Sequence, residues 1–359
     1  MKVFDNINFD AHEQVVFCHD KHTNLKAIIG IHNTRLGPAL GGTRFYPYEK
    51  EEDALTDVLR LSKGMTYKAA ISGLNLGGGK AVIIGDPKNL GCEALFRAFG
   101  RFVNSLGGRY ITAEDVGTSV YYMDHIREET SYVTGVSTHL GGSGDPSPFT
   151  AHGTFVGIKS CLKKQKGKDN VSGIKVAIQG VGNVGYHLCK ELHQEGAKLY
   201  VSDINKEAVK RAVKEFGAEA LEGDKIYGAD VDVYAPCALG ATINDKTLPM
   251  FKCSIIAGAA NNQLLDQEKH GEALKKAGIL YAPDYVINAG GLLNVNSEIY
   301  GGGTKNVLAQ IENIYYTLLN IFAIADKDKT TTAFASNRIA EKRIADISNI
   351  KGIFNGDEK

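Results

Sequence analysis

The sequence predicts an α/β protein of two domains separated by a cleft, an N-terminal α/β domain and a second domain with a doubly wound parallel sheet. Residues 141–148 read GGSGDPSP, and glycine and proline at this density interrupt both helices and strands. After this segment, short apolar runs alternate with amphipathic runs of helical length, a pattern typical of βαβ units. The length of 359 residues fits two domains with cores of their own.

The first domain is predicted from short apolar runs and from two runs with helical period. β-branched runs bounded by glycine or turn residues predict strands at 27–31, 81–84 and 110–112. Apolar residues recur three or four positions apart from residue 51 onward and again over 95–103. This spacing predicts two helices, each with one face toward the core.

The second domain is predicted as a series of strands and helices that follows the segment 141–148. The predicted strands are 176–179, 199–202, 231–235 and 254–257, and helices begin near residues 150, 184, 205 and 263. An apolar periodic run covers 307–324, and a last helix covers 331–348. We predict that this helix returns to the first domain, so that residues 1–140 plus 330–359 form one domain and residues 141–329 the other.

Charge and composition exclude several classes of protein. Lys and Arg number 41 against 41 Asp and Glu, and a protein that binds nucleic acid or a membrane surface usually carries a basic excess. No run approaches the roughly 18 apolar residues of a membrane span, and we expect a cytoplasmic protein. Neither C-x-x-C nor H-E-x-x-H occurs, so no metal is predicted.

A glycine-rich motif lies between a predicted strand and a predicted helix. It is Gly180-Val181-Gly182-Asn183-Val184-Gly185, and Asp203 ends the next predicted strand. In this context the first glycine permits a tight turn, the second lets the backbone approach a pyrophosphate, and the third lets helix and strand pack closely. An aspartate at this position accepts hydrogen bonds from the ribose 2′-OH and repels a 2′-phosphate. The motif predicts NAD rather than NADP, a preference that the nearby Lys206 weakens.

Two lysines bracket a second glycine-rich segment, which we interpret as a turn before a strand. Lys68 precedes it, and Lys80 follows Gly77 to Gly79. A phosphate-binding loop would need glycine at position 74 and Ser or Thr at 81, where the chain has Leu and Ala. Lysines held together in a cleft lower each other's pKa, which makes one of them a candidate base and the other a carboxylate anchor. Asp115 follows the strand at 110–112 and is a third candidate.

The segments around these residues resemble the glutamate/leucine/phenylalanine/valine dehydrogenase family. They include KGMTYKAA, LNLGGGKAVIIGDP, ITAEDVGT, QGVGNVGYHLC and YAPDYVINAGGLLNVNSEIYG, in family order from about residue 12 to 346. The resemblance implies a substrate domain, a Rossmann NAD domain and reversible NAD-dependent oxidative deamination of an L-amino acid to a 2-oxo acid and ammonia. It also implies a homo-oligomer, with an octamer as the expected assembly.

The resemblance also assigns roles to individual residues. Lys80 matches the base that activates water, Asp115 the residue that exchanges protons with the substrate nitrogen, and Lys68 an anchor for the carboxylate. Further substrate positions are Gly41, Gly42, Met65 and Asn262, and those matching the cofactor contacts, beyond the glycine motif and Asp203, are Thr150, Ala238, Asn261 and Asn288.

Four apolar positions are expected to select the side chain of the substrate, namely Leu40, Ala113, Leu292 and Val295. In glutamate enzymes the positions of Leu40 and Val295 carry a lysine and a hydroxyl residue, so an unpaired γ-carboxylate is disfavoured here. We therefore expect a branched-chain substrate, leucine first and then isoleucine or valine. The alternatives are a phenylalanine or valine enzyme of the same family, or an NAD-binding sensor without turnover.

Overall fold

The computed structural model describes residues 3–238 and 240–350. The predicted domain ends at 1–2 and 351–359 lie outside this range, as does Leu239. The described chain forms two compact units, one of residues 3–140 and 338–350 and the other of residues 141–238 and 240–337.

The first unit is built on a mixed five-stranded sheet. Its elements are β1 (Gln14–Asp20), β2 (Leu25–Asn33), β3 (Ala39–Tyr46), α1 (Glu51–Ile71), β4 (Gly77–Ile84), α2 (Pro87–Leu90), α3 (Glu93–Ser105), β5 (Tyr110–Glu114) and α4 (Val120–Arg127). The strand order is β1-β2-β4-β3-β5. β4 is antiparallel to β2 and parallel to β3, and β3 is parallel to β5.

Two apolar layers cover this sheet. On one face α1 packs Leu55, Val58 and Leu59 against Ile28 and Val82. On the other face α3 and α4 cover a larger cluster that includes fully buried phenylalanines and the buried ring of Tyr110. The predicted helices at 51 and 95–103 are confirmed, because their periodic apolar residues form these layers.

The second unit contains a parallel six-stranded sheet. Its elements are α5 (Ser147–Lys166), β6 (Lys175–Gln179), α6 (Asn183–Gln194), β7 (Lys198–Ser202), α7 (Lys206–Phe216), β8 (Glu219–Ala220), β9 (Val233–Pro236), β10 (Ile255–Ile256), α8 (Gln267–Lys276), β11 (Leu280–Tyr281), α9 (Asp284–Ile287), α10 (Gly290–Tyr300), α11 (Gly303–Ile311) and α12 (Asn313–Lys327). The strand order is β11-β10-β9-β6-β7-β8, with every pair parallel. Counted from β6, this is the order 3-2-1-4-5-6 of doubly wound dinucleotide-binding domains. The predicted fold class is confirmed.

Two helix predictions in the second unit differ from the structure. The helix expected from residue 263 begins at Gln267, because the side chain of Asp266 accepts a hydrogen bond from Lys269 N and caps it. The single run expected over 307–324 is two helices, which meet at Glu312. Residues 303–327 are long and apolar enough to span a membrane by length and composition alone. Their buried residues recur three or four positions apart, the pattern of a helix packed against a protein core.

The last helix, α13 (Thr332–Ser348), contains the boundary between the units. We predicted the return to the first domain at residue 330, but residues 330–337 belong to the second unit. Thr332 Oγ1 donates a hydrogen bond to Tyr281 O, and Tyr285 OH bonds Ser336, which ties the first turns of α13 to this unit. Arg343, in the first unit, donates to Leu74 O at 2.6 Å.

Candidate active site and cofactor loop

Lys80 lies inside a strand and not after a turn. Gly77 to Gly79, which we interpreted as a turn, are the first three residues of β4. The reason is the close packing of β4 on α1: a Cβ at Gly78 would lie 2.1 Å from Thr66 N. Glycine is therefore needed here because β4 and α1 lie too close together for a side chain. Lys80 pairs with Gly30 of β2 and is 6% exposed, so its ammonium group sits in a mostly buried site.

The ammonium group of Lys80 is paired with the carboxylate of Asp115. Lys80 Nζ lies 3.0 Å from Asp115 Oδ2, and Arg44 Nε lies 2.9 Å from the same oxygen. Asp115 directly follows β5, and its backbone N–H donates to Thr118 Oγ1, which also bonds Thr43 O on β3. These bonds fix the start of the loop against the sheet, so the carboxylate has a defined position.

Charge controls the protonation of Asp115. Burial raises the pKa of this carboxyl, but the charges and hydrogen bonds of Lys80 and Arg44 outweigh burial and lower it below its usual value. Asp115 is therefore ionised at neutral pH, next to the buried ammonium group of Lys80.

Gly41 and Gly42 of β3 lie between Lys80 and Asp115 in the sheet. β3 pairs with β4 at Leu40–Gly78 and next at Thr43–Ala81, so the ladder skips both glycines. A Cβ at residue 41 would lie 1.7 Å from Gly79 O, and one at residue 42 would lie 2.9 Å from Asp115 Cβ. Only glycine fits this approach of backbone to strand and carboxylate.

The other predicted substrate positions are divided between the two units. In the first unit, Met65 and Lys68 lie on α1, Leu40 is buried on β3, and Ala113 pairs with Gly42 across β3 and β5. In the second unit, Leu292 and Val295 lie on α10, and Asn262 adopts a left-handed backbone conformation with φ +51°. The structure thus brings Lys80, Asp115, Gly41 and Gly42 together.

Sequence reasoning missed Arg44 as a site residue. Its NH1 group donates to Asp57 Oδ2 at 2.8 Å while its Nε donates to Asp115. The alternation of side chains along a strand could have identified it, because Arg44 is two residues after Gly42 and therefore faces the same side of β3.

The glycine motif forms the turn from β6 into α6. Gly180 has φ +95°, and a Cβ there would lie 2.7 Å from Ala238 Cβ. A Cβ on Gly185 would lie 1.9 Å from Gly180 O, so this glycine lets helix and strand approach each other. A Cβ on Gly182 would meet no described atom within 4 Å. α6 begins at Asn183 and has no side-chain cap at its N-terminus. The N–H groups of its first turn and the open space at Gly182 therefore fit a pyrophosphate.

Asp203 lies beside the glycine motif. Its Oδ2 accepts a hydrogen bond from Val181 N at 2.7 Å, and its Oδ1 accepts one from Asn205 N at 2.8 Å. The carboxylate at the end of β7 is thus fixed next to the loop, as binding of a ribose diol requires. Together with the loop, this geometry fits a dinucleotide.

Three more predicted cofactor residues have defined surroundings in the second unit. Asn288 donates through Nδ2 to Ala259 O at 3.0 Å and to Asn261 Oδ1 at 2.7 Å. Within the described residues, the buried Oδ1 of Asn288 has no hydrogen-bond partner. Thr150 on α5 lies close to α10, since a Cβ at Gly291 would be 2.6 Å from Thr150 Oγ1. An unpartnered buried acceptor is costly, so a bound group that donates to Asn288 would relieve it.

Comparison with known families identifies the class of this protein. Residues 12–132 match the dimerisation domain of Glu/Leu/Phe/Val dehydrogenases, and residues 141–205 and 200–352 match the glutamate/leucine/phenylalanine/valine dehydrogenase domain. The chain belongs to the glutamate/leucine/phenylalanine/valine dehydrogenase family and is an NAD(P)-dependent amino-acid dehydrogenase.

Individual relatives narrow the resemblance further. The chain is 56% identical to leucine dehydrogenase of Bacillus cereus over 354 residues, which cover 99% of this chain and 96% of the relative. It is 55% identical to leucine dehydrogenase of Geobacillus stearothermophilus over the same length and coverage. The crystal structure of L-tryptophan dehydrogenase from Nostoc punctiforme superposes with a TM-score of 0.82 at 49% identity, covering 94% of this chain and 96% of that one.

Proposed function

We propose that this enzyme catalyses the reversible NAD-dependent oxidative deamination of a branched-chain L-amino acid, leucine first and also isoleucine and valine. The product is the corresponding 2-oxo acid with ammonia. The observation that carries this proposal is the buried pair of Lys80 and Asp115 beside Gly41 and Gly42. The leucine dehydrogenases at 55–56% identity support the choice of substrate.

The proposed roles follow from the charges of the site. The ammonium group of Lys68 and the backbone of Gly41 and Gly42 bind the substrate carboxylate. Asp115, as an ionised carboxylate, accepts a proton from the substrate nitrogen and returns it when ammonia leaves. Gly180 to Gly185 and Asp203 would hold NAD, which would supply the hydride acceptor for Cα of the amino acid. Lys80 then takes a proton from the water that attacks the oxidised carbon.

We expect oxidative deamination by this arrangement to be faster at alkaline pH. A lysine side chain accepts a proton only as the neutral amine, and the lysines assigned to the site disfavour a positively charged substrate amine. Both effects become more favourable as the pH rises. The rate of deamination is therefore expected to rise between neutral pH and pH 10, and a flat profile would contradict the assigned base.

The cofactor side supports NAD as the dinucleotide. Gly180 to Gly185 would hold the pyrophosphate at the N-terminus of α6, and Asp203 would hold the adenosine ribose. A carboxylate at this position repels the 2′-phosphate of NADP. Thr150, Asn261 and Asn288 are proposed contacts on the nicotinamide side.

The proposed specificity follows from apolar residues at the positions assigned to the substrate side chain. Leu40 is 1% exposed and Leu292 is 6% exposed, and neither offers a partner to a γ-carboxylate. A buried carboxylate without a partner is strongly unfavourable, which disfavours glutamate. One methylene in such a pocket changes selectivity by about 1 to 3 kcal/mol, so a phenylalanine or valine enzyme is the alternative.

The test is NADH oxidation in the presence of ammonia with a panel of 2-oxo acids. The panel comprises 4-methyl-2-oxopentanoate, 3-methyl-2-oxobutanoate, phenylpyruvate, indole-3-pyruvate and 2-oxoglutarate. We expect the highest kcat/KM with 4-methyl-2-oxopentanoate and the lowest with 2-oxoglutarate. No turnover with any of the five, or a preference for indole-3-pyruvate, would refute the proposal, and a preference for phenylpyruvate or 3-methyl-2-oxobutanoate would transfer it to the phenylalanine or valine alternative.

We further propose a homo-oligomer, with an octamer as the expected assembly. The match of residues 12–132 to a dimerisation domain supports association of this kind. Mass photometry across a dilution series measures it, and a monomer at micromolar concentration would contradict it. A cytoplasmic location and the absence of a bound metal stay predictions.

A further inference from the structure

Arg44 joins the candidate catalytic carboxylate to a second buried carboxylate. Its side chain is 21% exposed and lies between Asp115, which follows β5, and Asp57 on α1. The distances are 2.9 Å from Nε to Asp115 Oδ2 and 2.8 Å from NH1 to Asp57 Oδ2. The planar guanidinium group can serve two acceptors at once in a fixed geometry, whereas an ammonium group is a single point of charge.

Both cations at Asp115 bind the same oxygen. Lys80 Nζ and Arg44 Nε lie 3.0 and 2.9 Å from Oδ2. Both cations therefore hold the carboxylate through one oxygen, and the proposed proton exchange with the substrate nitrogen is assigned to the other oxygen, Oδ1.

The second carboxylate is anchored independently of the site. Asp57 Oδ2 accepts a hydrogen bond from Tyr48 OH at 2.6 Å, and Asp57 Oδ1 accepts one from Arg60 Nε at 2.9 Å. Burial raises the pKa of Asp57, but these donors and Arg44 outweigh burial and lower it. Asp57 thus stays charged and holds Arg44 through NH1, while Asp115 binds Nε.

We propose that Arg44 is a positioning residue that fixes Asp115 beside Lys80 and shares the charge of Asp115 with Lys80. This inference rests on the proposed function, in which Lys80 is the base and Asp115 exchanges protons with the substrate. The charged groups assigned to the site are Lys80, Asp115, Arg44 and Lys68, and Asp57 and Arg60 continue the network from Arg44. Two phenols adjoin these groups: Tyr48 OH donates to Asp57 Oδ2, and Tyr110 OH donates to Gly41 O.

Removing Arg44 leaves the negative charge of Asp115 shared with no cation other than Lys80. Without the guanidinium, Asp115 faces Lys80 alone, and an unshared carboxylate within hydrogen-bond distance favours the charged form of an amine. Charges at this separation shift proton affinity by about one pH unit or more, which is a factor of about ten. More alkaline solution is then needed before Lys80 can act as a base.

The test compares three substitutions in the full-length enzyme by their pH profiles of kcat for deamination. The pH midpoint is the pH at which kcat reaches half its alkaline plateau. We expect Arg44→Gln to raise the pH midpoint by about one unit or more. Arg44→Lys keeps the charge and is expected to leave the pH midpoint near that of the wild type while kcat falls, since one ammonium cannot bridge both carboxylates.

Arg60→Gln is the matched control. Arg60 binds Asp57 as Arg44 does, but it makes no contact with Asp115. If this charge network had a purely structural role, both variants would show a lower Tm and an unchanged pH midpoint. Equal pH midpoints in Arg44→Gln and Arg60→Gln would overturn the proposal. Should Arg44→Gln fail to fold, a raised pH midpoint or an unchanged kcat in Arg44→Lys would overturn it.

A measurement without turnover separates this inference from the proposed function. Cyanate carbamoylates neutral amines, so the rate of Lys80 modification against pH, followed by peptide mass spectrometry, reports release of the proton. Arg44→Gln is expected to move the midpoint of that curve to higher pH, by the same amount as the midpoint of the kinetic profile. If the wild type turned over no 2-oxo acid, the proposed function would fail. A carbamoylation curve that Arg44→Gln leaves unchanged would refute the role of Arg44.

Discussion

Two buried histidines predict that the protein loses stability as the pH falls below neutrality. His32 on β2 has its Nδ1 2.8 Å from Thr66 Oγ1 on α1, and its ring centroid lies 4.8 Å from that of His12. Each histidine is 8% exposed. Thr66 packs against Gly78 in the strand that carries Lys80. Protonation of these histidines would weaken the contact between α1 and β4.

The magnitude follows from the pKa of His32. Burial lowers this pKa to about 4, with a further contribution from the neighbouring ring of His12, whereas the value in the unfolded chain is about 6.5. The unfolded state therefore binds protons more tightly. The stabilising contribution is complete above pH 6.5, falls as the pH decreases, and is lost near pH 4. At 1.36 kcal/mol per unit, the loss is about 2 kcal/mol at pH 5 and about 3 kcal/mol in full.

The assay is urea unfolding at fixed protein concentration at pH 7.5, 6 and 5. His32→Gln keeps a polar group that can bond Thr66 but does not titrate, so it should lose about 2 kcal/mol less than the wild type on going to pH 5. His22→Gln, at an exposed histidine, is the control and should follow the wild type. Equal acid losses in the wild type and His32→Gln would refute the reasoning.

Three further predictions concern packing, the cofactor and the substrate. Gly78→Ala should cost about 1 to 3 kcal/mol in urea unfolding, since its Cβ would lie 2.1 Å from Thr66 N, whereas Gly64→Ala, with open space, should not destabilise. An equal effect of both would contradict the packing argument. Asp203→Asn should raise the ratio of kcat/KM for NADPH over NADH about tenfold, because the charge that repels a 2′-phosphate is gone; an unchanged ratio would exclude Asp203 as the discriminating residue. Leu292→Val shortens a side chain assigned to the substrate wall and should raise kcat/KM for phenylpyruvate relative to 4-methyl-2-oxopentanoate by about tenfold or more. No change in that ratio would remove Leu292 from the substrate wall.

The local sequence pattern was sufficient to predict most helices and strands of the second unit. The strands expected at 176–179 and 199–202 and the glycine turn before α6 are present, because strand, turn and helix are adjacent in sequence. A parallel sheet follows from the alternation of these elements. The break at Glu312 could not be predicted in this way, since the apolar period continues through it.

The first unit shows where local pattern was insufficient. Three consecutive glycines indicate a turn in isolation, but at residues 77–79 they form a strand because α1 lies directly against it. That reason depends on Thr66, which is distant in sequence. The pair of Arg44 and Asp115 likewise joins two strands that are neighbours only in the folded sheet. A sequence alone does not give such contacts.

The role of Lys80 is tested most directly by Lys80→Ala, with Lys63→Ala as the control. Lys63 lies on the same helix as Lys68 but pairs with the exposed Asp10, away from Asp115. Removing a general base costs about 10² to 10⁴ in rate, so kcat for deamination should fall by at least about 100-fold in Lys80→Ala and stay near the wild-type value in Lys63→Ala. NADH binding, followed by fluorescence, should be unchanged in both. A kcat for Lys80→Ala within about threefold of the wild type would contradict the assignment of the base.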